Sequence, residues 1–135
     1  MRIAIASLVF GLAAIAHGQA VPDSLRPPEP LREFRAVWVA TVRNMDWPSR
    51  SDLTAEQQQQ ELLAILDRAA ALRMNAIVLQ VRPEADALYA SRYEPWSRYL
   101  TGEQGRKPDT TWDPLEFALE EAHKRGLGLH AWFNP

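Results

Sequence analysis

Asn75-Ala76-Ile77-Val78-Leu79-Gln80-Val81-Arg82-Pro83-Glu84-Ala85-Asp86 begins as a buried strand and ends in a burst of polar groups. Ile77, Val78, Leu79 and Val81 form the near-continuous, β-branched apolar run of a parallel strand covered on both faces. Gln80, Arg82, Glu84 and Asp86 then gather at its C-terminal end. In α/β folds the loops leaving that end converge on one crevice, and ligands bind there. Leu127 to Pro135 repeats the plan, with His130, Trp132 and Asn134 alternating with Leu129, Ala131 and Phe133. Two strands with polar C-terminal ends predict a shared site.

Outward from this stretch, Glu33 to Val42 reads as the first strand, with Phe34, Val37, Trp38, Val39 and Val42 favouring a pleated, buried surface. Its polar end is Thr41, Arg43, Asn44 and Asp46, followed by Trp47-Pro48-Ser49 in a loop. Thr54 opens a helix with Gln57 three residues later, the capping-box spacing. Leu62, Ile65, Leu66, Ala69 and Leu72 recur at helical spacing, and the glutamines from Gln57 to Gln60 read as solvent-facing. Asp113-Pro114 starts a second helix with Glu116 in the capping-box place, and Gly126 ends it. Between Pro83 and Trp112 runs a long connection carrying Tyr89, Tyr93, Trp96, Tyr99 and Trp112, too aromatic for a disordered linker and longer than ordinary βα loops. It reads as an ordered loop over the crevice. The order strand, helix, strand, helix, strand is α/β, each helix returning the chain to start a parallel neighbour.

Upstream, Met1-Arg2 is a short basic start and Ile3 to Ala16 an uncharged apolar run, followed by Gly18-Gln19-Ala20. This pattern predicts a secretory signal peptide over residues 1–20, cleaved after Ala20, and hence export to the periplasm or the exterior. The run is short for a bilayer crossing, which takes ~20 apolar residues, and no transmembrane segment is expected after cleavage. Residues 21–32 hold Pro22, Pro27, Pro28 and Pro30 and read as an extended spacer. The absence of cysteine excludes disulfides, thiolate metal sites and a lipid anchor on a modified Cys. A net charge of -2 of mixed sign gives no basic footprint for nucleic acid. Scattered carboxylates and a single well-placed histidine, His130, predict no metal site, and the glycines form no phosphate loop, so no cofactor is expected.

Three strands cannot close a barrel, and a complete (β/α)8 domain takes ~250 residues. Residues 33–135 therefore read as about three βα units from the N-terminal part of a TIM barrel within a longer protein. A compact three-stranded α/β domain, abbreviated from a flavodoxin-like plan, is the competing expectation.

Several segments, in the same order, resemble the glycosyl-hydrolase-like family 10 proteins of bacteria. They are Arg35-Ala36-Val37-Trp38-Val39, Asn44-Met45-Asp46-Trp47-Pro48-Ser49, Gln80-Val81-Arg82-Pro83-Glu84-Ala85-Asp86-Ala87-Leu88-Tyr89, Tyr93-Glu94-Pro95-Trp96-Ser97, Leu100-Thr101-Gly102 and His130-Ala131-Trp132-Phe133-Asn134-Pro135. Asp113-Pro114-Leu115 and Glu121-Ala122-His123 complete the set. The resemblance implies a secreted TIM-barrel glycosidase acting on glycans of the cell envelope, peptidoglycan foremost.

Glycoside hydrolysis usually needs two carboxyl groups flanking the bond. Those at the appropriate strand ends are Asp46, Glu84 and Asp86, and Glu84 and Asp86 are the candidate catalytic pair. Pairing with Arg82 or Arg43 to shape the loop is the blander role, and the one favoured over catalysis. Similar glycosidases commonly draw their acids from the fourth strand onward, so the catalytic carboxyls are expected beyond Pro135 and this chain alone is expected to be inactive. Candidate glycan contacts are Arg43, Asn44, Asp46, Trp47, Gln80, Arg82, Glu84, Asp86, Trp96, His130, Trp132 and Asn134. Gln80 and Arg82, on one strand face, serve equally well as internal pins between strands. His130 serves equally well as a satisfied core residue. Trp47, Trp96, Tyr93 and Trp112 suit stacking on a pyranose, or packing of the long loop onto its own domain. Two other functions remain open: an envelope glycan binder that has lost its acids, and a small α/β interaction module that folds alone.

Overall fold

The computed structural model describes residues 33–108 and 112–135, so the expected signal peptide and proline-rich spacer lie outside the described residues. Three strands, β1 (Ala36–Val39), β2 (Ala76–Arg82) and β3 (Gly128–Phe133), form a parallel sheet in the order β1-β2-β3. Helix α1 (Ala55–Ala71) connects β1 to β2; the short α2 (Arg98–Thr101) and then α3 (Pro114–Lys124) lie between β2 and β3. This is the mixed α/β arrangement expected of the chain.

Local chemistry sets the helix boundaries. Thr54 and Gln57 close a full capping box, the Gln57 amide donating to Thr54 Oγ1 at 3.3 Å and the Thr54 amide to Gln57 Oε1 at 2.9 Å. Asp113 caps α3 by accepting from the Leu115 and Glu116 amides, with Pro114 at the first helical position. Gly126 turns the chain out of α3 with φ +69°, a conformation that costs glycine nothing.

Both long helices pack on one side of the sheet. Val39, Ile77, Leu79 and Val81 meet Leu62, Leu66 and Ala69 of α1 and Ala118 and Ala122 of α3 in a single buried cluster. Each of the valine, leucine and isoleucine side chains contributes about 1.5–3 kcal/mol by leaving water, and each alanine methyl less. Leu72, expected on that apolar face, is 59% exposed because it lies past the last turn of α1. Gln58, expected in solvent, is 3% exposed instead and donates to the carbonyls of Leu53 and Leu100.

The opposite sheet face carries no helix of the described residues. Trp38 of β1 pairs in register with Val78, and His130 of β3 with the same residue. The Trp38 and Trp132 rings meet edge to face at 5.1 Å, and those of Phe34 and His130 at 5.2 Å. These two pairs link the outer strands across β2 and leave Val78 and Gln80 buried beneath them. Trp38 and Phe34 are nonetheless 63% exposed, not buried as a strand from Glu33 to Val42 would have them. β1 ends early because the Ala40 amide donates to Asp46 Oδ2 at 2.7 Å rather than to a strand.

Candidate functional site

All three parallel strands exit at the same end of the sheet, and most of the polar residues singled out above sit on those exits. At the β1 exit, the side chain of Gln80 is a pin: its Oε1 accepts from the amides of Thr41 and Val42, both at 2.9 Å. Thr41 returns the bond, its hydroxyl donating to the Gln80 carbonyl at 2.9 Å. Both residues are fully buried, and these bonds satisfy Gln80 Oε1, while its buried Nε2 has no hydrogen-bond partner among the described residues. A single turn of 3-10 helix follows at Val42–Asn44, with Arg43 and Asn44 at φ 55° and 52°. Positive φ in two consecutive non-glycine residues is uncommon and needs support from its surroundings. Asn44 Nδ2 supplies it by donating to the carbonyls of Pro48 at 2.8 Å and Tyr99 at 2.9 Å. Arg43 projects into solvent with no hydrogen bond or ion pair among the described residues.

Trp47 has no exposed surface; its Nε1 donates to the Gln58 carbonyl at 2.8 Å and its ring lies edge-on to Trp112. It is a core residue, so the sugar-stacking role expected of it is closed in this fold. Trp96 is half-buried against the core, where a parallel bridge joins it to Ala87. Tyr93 is 95% exposed. That bridge and the single turn of α2 give the described part of the long connection the order expected of it.

The β2 exit separates residues that strand alternation grouped together. A register shift between Gln80 and Arg82 places Arg82 opposite Phe133. Gln80 thus serves the β1 exit, while Arg82 serves β3: its Nε donates to Glu94 and its Nη1 to the Asn134 carbonyl. Glu94 also accepts from the Tyr89 hydroxyl at 2.8 Å. The Arg82 guanidinium, followed by the Tyr89 hydroxyl, holds the Glu94 carboxyl below the usual carboxylate range. Burial, followed by Glu94, raises the Tyr89 phenol. Asn134 closes the loop, its amide donating to the Arg82 carbonyl at 2.8 Å and its Nδ2 to the Pro83 carbonyl at 2.9 Å.

Neither candidate catalytic carboxylate pairs with Arg82 or Arg43. Glu84 is exposed and bridges to Arg98. Asp86 is fully buried, with Oδ1 accepting from the Glu84 amide at 3.0 Å. This short internal bond shapes the turn at Ala85, whose φ is 54°. Asp46 is likewise occupied with the Ala40 amide. His130 leans on Phe34, which precedes β1, and so lies toward the entry end of the sheet rather than beside Arg82. Trp132 is half-buried against Trp38.

The residues that sequence reasoning passed over are Glu94, Tyr89 and Arg98. Glu94 stood in the Tyr93-Glu94-Pro95-Trp96 segment, but nothing local ties that segment to Arg82. A cleft of about 530 Å³ also opens between residues 51–56 and 100–108, lined in part by Ser51, Thr54, Gln58, Thr101, Arg106 and Trp112. Trp112 is the one aromatic candidate on its wall. Among the described residues no group of three or more His, Asp or Glu is placed to hold a metal ion, and no helix is long and apolar enough to cross a membrane.

Comparison with known proteins places these features in a family. Residues 33–135 match the model of the family described as glycosyl hydrolase-like 10. The chain is 54% identical over 104 residues to glycosyl hydrolase YngK of Bacillus subtilis (strain 168), an alignment covering 77% of this chain and 20% of that protein. It is 40% identical over 125 residues to glycosyl hydrolase DigH of Escherichia coli (strain K12), covering 84% of this chain and 28% of that protein. The chain thus spans between a fifth and a third of the length of these relatives.

Proposed function

The chain belongs to the glycosyl hydrolase-like 10 family, and from that premise we propose that it forms one wall of the glycan cleft of an exported glycoside hydrolase. Its three strands are the first of a (β/α)8 barrel, and the sheet face bearing Trp38, His130 and Trp132 is turned to the barrel interior. The substrate is a bacterial envelope glycan, peptidoglycan before others. One observation carries this reading: the strand exits gather at one end of a sheet whose other face, opposite the helices, leaves Trp38 63% exposed. A solitary parallel sheet rarely leaves such a face in water, since parallel sheets are covered on both sides.

Within the described residues, the carboxylates of Asp46, Glu84 and Glu94 hold loops, and Asp86 shapes its turn through Oδ1 while its buried Oδ2 has no hydrogen-bond partner among them. We therefore assign the proton donor and the nucleophile or base to the further length that the relatives possess, and glycan contact to Arg43, Tyr93 and Trp96, which keep exposed surface here. The same observation favours a second reading, a barrel that binds envelope glycan without cleaving it. Incubating the intact protein with purified sacculi separates the two. New reducing ends in the soluble fraction are the expected result; retention on sacculi without new ends makes it a binder, and neither result removes glycan from the proposal. The mature protein is expected in the periplasm or outside the cell.

A further inference from the structure

We propose that Glu94 is a positioning residue, holding Arg82 and through it the main chain at Asn134, so that the exits of β2 and β3 form one rigid lip of the site. The inference rests on the glycosidase reading above for its kinetic consequence, but the clamp itself stands on contacts alone. Arg82 spans two elements: its Nε donates to Glu94, which lies twelve residues on in the long connection, and its Nη1 to the carbonyl of Asn134, just past β3. Glu94 is fixed from the other side by the Tyr89 hydroxyl at 2.8 Å, and the Tyr89 ring meets Phe133 edge-on at 6.4 Å. Asn134 answers with two bonds of its own, to the carbonyls of Arg82 at 2.8 Å and Pro83 at 2.9 Å.

The side chains of Arg82 and Glu94 are only 23% and 20% exposed, so water replaces neither partner cheaply. The rigid guanidinium reaches its two acceptors from two different nitrogens, Nε and Nη1, and a lysine at residue 82, with all its donors on one nitrogen of a flexible stem, does not reproduce that spread. The register shift between Gln80 and Arg82 has its use here, because it sets Arg82 level with Phe133 and within reach of Asn134. Glu94 has no role in the β1 exit and, on this proposal, none in touching the glycan.

The test is made in the intact protein with the variants Glu94→Gln, Arg82→Met and the double variant. Two readouts are taken: turnover of peptidoglycan glycan strands, split into kcat and KM, and hydrogen exchange at the Asn134 amide. Glu94→Gln is expected to lower kcat by roughly ten- to a hundredfold with KM nearly unchanged, the scale set by a small misplacement of reacting groups. Exchange at Asn134 is expected to accelerate, and the double variant to be no worse than Arg82→Met, because Glu94 acts through Arg82. A rise in KM at constant kcat would instead make Glu94 a glycan contact and overturn the proposal, as would fully additive losses. Should the wild-type protein turn over no glycan, the glycosidase reading fails; exchange at Asn134 still decides the clamp, and an unchanged rate in Glu94→Gln overturns it.

Discussion

Gln80 and Arg82 are two residues apart on one strand, and each commits its side chain to a different neighbour. The amide of Gln80 suits two adjacent backbone N–H groups, whereas the guanidinium of Arg82 suits a carboxylate and a carbonyl together. Glu94 is the titrating member of the second arrangement. Its pKa is lowered in the folded state, so its contribution to stability is present above the ordinary carboxylate pKa of ~4.3 and is lost as pH falls through the lower folded value. Tyr89, raised by burial, sets the other limit: its contribution is present below ~10 and is lost as pH rises through the higher folded value. Urea unfolding of wild type and Glu94→Gln across a pH series checks the acid limb. The difference between the two proteins is expected to be constant near neutrality and to close below pH ~4; a gap that persists in stronger acid would show that Glu94 acts by packing rather than charge.

Among the elements, α1 and α3 share an N-terminal logic but differ in what their caps reach. Thr54 satisfies only its own helix and Gln57. Asp113 caps α3 with Oδ1 and with Oδ2 accepts from the Ala90 amide at 2.7 Å, tying the helix to the long connection. Replacing Thr54 by Ala is expected to cost about 1 kcal/mol, the ordinary value of a lost cap. Replacing Asp113 by Ala is expected to cost about 2 kcal/mol, since a charge-assisted loop bond goes with the cap. Chemical denaturation measures both, and equal costs would mean that the Ala90 bond adds nothing. Both caps were legible in the sequence because capping is a matter of neighbours three residues apart.

Over the molecule as a whole, the sheet has two unlike faces. One is sealed by α1 and α3; the other has the two edge-to-face aromatic pairs across β2. On the barrel proposal this second face is interior in the intact protein, and Trp38→Ser there is expected to cost about 3–5 kcal/mol, the scale of a large aromatic lost from a core. If Trp38 stays in water, the cost falls to about 1 kcal/mol or less. Thermal or urea unfolding of the intact variant distinguishes the two outcomes.

By itself the sequence determined the order of strands and helices, the parallel sheet, the helix caps and the family, because periodicity, capping spacing and motif order are carried by residues near one another in the chain. It also marked the polar ends of the strands. Tertiary structure alone decided what those polar groups do: that Trp47 is core, that Asp46 and Asp86 shape turns, and that Arg82 belongs with Glu94 and Asn134. Hydrogen-bond partners are chosen by proximity in space: the turn bonds of Asp46 and Asp86 span only 6 and 2 positions, whereas the partners of Arg82 lie 12 and 52 positions away in the chain. No local spacing encodes that distance; the register shift in β2 and the path of the long connection do.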